Sequence, residues 1–255
     1  MISDKFKIIL ICTFYNLLLE FWVWGIPGFI TIILPISVFL MYLSYFSILE
    51  DLIVRFKLRD LDVLLIGFFY GIFQESFNTG STFNNPNFFG LNIFNIFMAD
   101  ILWWGILQSV FALYLANKIV KKNQEQFGKM GVLGWLLAVG FNILLFMGAF
   151  FGNKLPNAPL YSYIIILLTW LSIFIIIIIR IKKNQKKTLL KIEQIGFVDT
   201  LIKIQIFLCL IIGGFLVFII GILTLYLFII WTFFTGIVYF FYIVKNKRFI
   251  GNLLV

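Results

Sequence analysis

Between Phe6 and Val244 the chain is a succession of apolar runs, each long enough to cross a lipid bilayer as one helix. A spanning helix needs about 20 predominantly apolar residues at a rise of about 1.5 Å each. Eight runs qualify: residues 6–24, 28–49, 61–79, 93–116, 131–152, 160–179, 200–220 and 222–244. Between the last two, Gly221 and Thr224 are the only turn candidates. A soluble domain is about 45–50% apolar and about 25% charged. This chain is 62% hydrophobic and 12% charged, which excludes both a water-soluble globular protein and a disordered one. An outer-membrane barrel alternates apolar and polar residues in segments of about ten. Here the apolar runs are continuous. The expected fold is an all-α polytopic helical bundle of about eight transmembrane helices. It forms a single transmembrane domain over residues 1–255, because the short connections leave no room for a soluble domain.

The basic residues orient these runs. Cytoplasmic loops of membrane proteins carry the excess of Lys and Arg. With the N-terminus inside and eight spans threaded in turn, all of the 20 Lys and Arg except Lys154 fall on the inner side. Seven spans would instead place Lys245, Lys247 and Arg248 outside. Both termini are therefore expected to be cytoplasmic, in a multi-pass protein of the plasma membrane. The first run is too long for a cleavable signal and no A-x-A site follows it, so it reads as an uncleaved anchor. The net charge of +9 is accounted for by the same sorting, with anionic lipid headgroups as the partner of the cytoplasmic face. The densest basic run is KKNQKKTLLK, residues 182–191. It and the inner loop over residues 50–62 offer surfaces to a membrane or cytoplasmic protein partner. No basic stretch interleaved with exposed aromatics on a soluble domain is present, which argues against nucleic acid as a partner.

The chemistry is narrowed by what is missing. The chain has no histidine, which removes the commonest general base and metal ligand. Its two cysteines, Cys12 and Cys209, lie in separate apolar runs and read as small buried hydrophobes. No metal and no cofactor are expected. An acid inside the bilayer carries a penalty of about 2.5–3.5 kcal/mol on insertion scales and so tends to mark a functional site. Three acids qualify: Glu20, Glu75 and Asp100, all towards the outer ends of their spans. Each ends or shares a helix face: Thr13, Asn16 and Glu20; Gly67, Gly71 and Glu75; Asp100, Trp104 and Gln108. The two glycines would let another backbone approach the face that leads to Glu75. Gln74 adjoins that face, and Asn142 adds an amide near mid-membrane. Together Glu20, Glu75, Asp100, Asn16, Gln74, Gln108 and Asn142 are the candidate lining of an outward-facing polar cavity. Its carboxylates would share protons or hold a cation.

The uncharged, Asn-rich and aromatic segment 78–95 joins Glu75 to Asp100. It is expected either to fold back as a lid, with Phe83, Phe88 and Phe89 dipping into the interface, or to serve as a plain connector. The leading functional expectation is a small transporter or permease-like membrane subunit, and not an enzyme. The alternatives are an intramembrane enzyme acting on a lipid or isoprenoid, through acid–base work by Glu75 and Asp100, and a structural subunit of a membrane complex.

Overall fold

The computed structural model describes residues 3–29, 33–56, 58–86, 88–120, 129–151, 158–184 and 237. The expected span 200–220 lies outside the described residues, as does 222–244 apart from residue 237. Among the described residues the fold is all-helical. Helix α1 covers Asp4–Phe29 and α2 covers Ile33–Phe56. Helix α3, Asp60–Phe73, runs on into a π-helical turn, Gln74–Asn78. A short 3-10 turn, Ser81–Phe83, follows. The single turn α4, Ile93–Asn95, continues as a π-helix over Ile96–Phe111 and then as α5, Ala112–Ile119. Helices α6 and α7 cover Val132–Phe151 and Leu160–Asn184. Among the described residues, three helices are long and apolar enough to cross a membrane: Pro35–Phe56, Ile93–Ile119 and Leu160–Lys183. Val132–Gly148 is a shorter apolar helix.

The chain divides into two compact units. The described part of the first holds α1, the beginning of α2 and α5. Helix α1 packs on α5; its buried face runs at helical spacing through Ile8, Cys12, Asn16 and Leu19, while Phe14 and Leu18 point outward. Two polar side chains on the buried side donate back to the helix's own carbonyls. Thr13 Oγ1 donates to the Ile9 carbonyl and Asn16 Nδ2 to the Cys12 carbonyl, at 2.8 and 2.9 Å. Such back-bonding lets a polar residue sit where no water reaches.

In the second unit α3 is flanked by three helices. Helix α7 runs antiparallel to it, as the partners show: Phe69 stacks on Trp170 at 4.3 Å, and Arg180 at the end of α7 pairs with Asp62 at the start of α3. Helix α6 runs parallel to it, with Tyr70 against Asn142 and Phe73 and Phe77 against Phe146. The third neighbour is the π-helix. A Cβ on Gly67 would lie 2.4 Å from Ser109 Oγ, 2.7 Å from the Trp104 oxygen and 2.9 Å from Gly105 Cα. The glycine face thus serves close backbone approach. The π register contributes to this contact, since Ser109 Oγ donates to the Trp104 carbonyl five residues back. Gly67→Ala should therefore destabilise by about 1–3 kcal/mol through overpacking. Gly140→Ala, where nothing lies within 4 Å, should be neutral or slightly stabilising. Thermal unfolding of the two variants in detergent checks the contrast.

One end of this unit is tied by buried acids. Asp51 is fully buried and accepts from Arg55 Nε, the Met130 amide and Trp135 Nε1. Asp62, also fully buried, accepts from Arg180 Nε and from the Arg59 amide, which begins α3. These acids join the end of α2 to the start of α6, and the start of α3 to the end of α7. Asp51 and Asp62, both within the inner loop expected over residues 50–62, are therefore structural.

Candidate functional site

The opposite end of the second unit holds Glu75 and Asp100. The π turn after α3 presents Glu75, half-buried, to three donors. Trp104 Nε1 donates to Oε1 at 3.0 Å, Thr79 Oγ1 to Oε2 at 3.0 Å, and the Ser81 hydroxyl also to Oε2. A carboxylate has about four acceptor directions, so Glu75 is close to fully satisfied. Asp100 is in the opposite condition. It has no solvent exposure, and neither carboxylate oxygen has a hydrogen-bond partner among the described residues. Gly71 makes room for this part of the π-helix: a Cβ there would lie 3.0 Å from Asp100 Cα and 2.8 Å from Trp104 Cβ. Asp100 lies within range of the Glu75 charge. Among the described residues no Lys or Arg pairs with either acid.

The neighbouring amides extend the polar region. Gln74 is buried; its Oε1 accepts from Asn78 Nδ2 at 2.5 Å, while its Nε2 and the Asn78 Oδ1 lack partners among the described residues. Asn142 donates to the Ala138 carbonyl at 2.8 Å and accepts from the Tyr70 hydroxyl. The Tyr70 ring meets the Trp104 ring edge-on at 5.2 Å. A contact chain therefore runs from Asn142 through Tyr70 and Trp104 to Glu75. Gln108 is buried in the π-helix, two turns beyond Asp100. Glu20 and Asn16 belong to the first unit, where the Tyr42 hydroxyl donates to Glu20. Among the described residues no group of three or more Cys, Asp or Glu side chains is arranged to hold a metal ion.

The segment after Glu75 folds back over it. Gly80, at φ 71°, reverses the chain so that Ser81 reaches the carboxylate. Ser81 Oγ also accepts from Asn95 Nδ2 at 2.9 Å, and Ser76 donates to Thr82 Oγ1 at 3.1 Å. The Asn92 amide donates to the Thr82 carbonyl at 2.8 Å, and the Asn92 side chain caps the next helix at Asn95. Phe83, which the lid reading set in the membrane interface with Phe88 and Phe89, is buried against Tyr163 at 4.5 Å between centroids. The sequence placed Trp104 on the face of Asp100 but gave it no bond to Glu75, and assigned neither Thr79 nor Ser81 to the site. The Glu75–Thr79 spacing of four was the available signal for one of these donors. Ser81→Ala should raise the amide exchange of the segment, read at Asn84 and Asn92, by tenfold or more. It removes one bond to a charged acceptor, worth about 1.5–3 kcal/mol, and exchange at Leu136 in α6 should not change.

No protein-family model matches the chain, and no curated protein or solved structure is similar to it.

Proposed function

We propose that the chain is a small transporter or permease-like membrane subunit of a cell membrane, with about eight spans and both termini cytoplasmic. In this reading Glu75 and Asp100 form its working site. The observation that carries it is the Asp100 carboxylate, fully buried within the apolar helix Ile93–Ile119 and without a hydrogen-bond partner among the described residues. A structural acid finds donors, as Asp51 and Asp62 do in the same unit. An acid that lacks them costs several kcal/mol to keep in hydrocarbon and is retained for what it binds. Two adjacent carboxylates without a basic partner suit a small cation, or a solute moved together with a proton. The lipid partner of the inner face is anionic, as the Lys and Arg distribution requires.

The test is a flux screen in proteoliposomes loaded with a pH-sensitive dye and challenged with inorganic cations and small organic solutes. Wild type should move at least one of them, and Asp100→Asn should not. A folded wild type that moves none, in a membrane complex that falls apart without it, would favour the structural-subunit reading.

A further inference from the structure

The segment that covers Glu75 has a second face. Phe88, Phe89 and Phe94 are 59%, 61% and 65% exposed. Phe88 and Phe89 meet edge-on at 4.4 Å, and a short bridge between Phe88 and Leu91 closes the turn that carries them. Two exposed aromatics in contact, with a third exposed five residues further on, make an apolar surface that calls for a partner. The chemistry of the segment limits what that partner is. Between Glu75 and Asp100 there is no charged residue, so nothing in it recognises an ionic surface. Among the described residues its exposed polar side chains are those of Thr79, Asn84 and Asn85, all uncharged.

Position supplies the rest. Ser162 Oγ donates to the Phe89 carbonyl at 2.9 Å, and Gly90, at φ 70°, leaves no room for a side chain because a Cβ would lie 2.2 Å from Ser162 Oγ. The aromatic turn is thereby fixed beside the first turn of α7, whose exposed residues there are Leu160, Tyr161 and Ile164. Helix α7 is a candidate span whose most apolar stretch is only 17% buried, which leaves it an apolar face of the kind that lipid covers. The patch continues that face at its end, where aromatic rings with neutral polar neighbours fit the boundary between headgroups and acyl chains.

We infer that Phe88, Phe89 and Phe94 are seated in the headgroup–acyl boundary of the bilayer, the outer one in the orientation proposed above. The cover over Glu75 is thereby anchored to lipid as well as to the carboxylate. This does not depend on the transport reading, and the test involves no substrate. Nitroxide labels are placed at Phe89→Cys and Asn84→Cys in a Cys12→Ala/Cys209→Ala background, in phosphatidylcholine nanodiscs. The label at residue 89 should collide more with oxygen than with a water-soluble nickel chelate, and the label at residue 84 should show the reverse. As a check that keeps both native cysteines, benzoylphenylalanine at position 89 should crosslink to phosphatidylcholine. A label at residue 89 as open to nickel as the one at residue 84 would overturn the inference. So would a label shielded from both collision partners, or crosslinks to protein alone, since each means that something other than lipid covers the patch.

Discussion

Asp51→Ala is expected to destabilise the protein by about 3–5 kcal/mol, the range for removing one partner of a buried ion pair. The substitution takes away the acceptor for three donors at once. Arg55 is partly exposed, and its charge regains some water. The Met130 amide and the Trp135 indole N–H, in half-buried residues, lose their acceptor as well, and a donor left unsatisfied costs about 1–3 kcal/mol. The loss should fall on the junction between the end of α2 and the start of α6. The unfolding midpoint in detergent measures it, with the exchange rate of amides near Met130 as the local readout. A loss below about 1 kcal/mol would show that the three bonds add little to what water already offers those donors.

Asp100→Leu is expected to do the opposite and to stabilise by about 1–3 kcal/mol, because an apolar group branched at the same atom, though somewhat larger, replaces a carboxylate that has no donor. Leucine matches the branching of aspartate, so the contact between Gly71 and the π-helix is left as it is. The insertion preference moves the same way, since aspartate is unfavourable and leucine favourable within a span. Chemical or thermal unfolding of the variant beside wild type decides it. An unchanged or lower stability would mean that the Asp100 carboxylate has partners that compensate its burial.

The residues legible in sequence were those whose role follows from spacing along one helix. Gly67 and Gly71, four apart, announced a close approach, and the structure puts Trp104, Gly105 and Ser109 there. The face linking Asp100 and Trp104 was legible for the same reason. The bond from Trp104 to Glu75 was not, because it crosses between helices that are 29 residues apart in sequence. The π register of Ile96–Phe111 was hidden as well, since a run apolar on every side has no phase to betray a wider turn. The burial of Asp51 and Asp62 escaped because a charged loop between apolar runs reads as solvated. Their partners, Met130 and Arg180, lie 79 and 118 residues away in the chain. Phe83 and Phe88 are alike in composition and neighbourhood; only the fold separates the one packed on Tyr163 from the one left exposed.

The central claim, that Asp100 is kept for function at a cost in stability, is tested most directly by measuring stability and flux together. Wild type and Asp100→Leu are reconstituted in the same lipid, and each preparation is assayed for its unfolding midpoint and for the solute movement found in the screen. The account predicts a variant that is more stable than wild type and has lost the flux. A variant that is more stable and moves solute at the wild-type rate would contradict it.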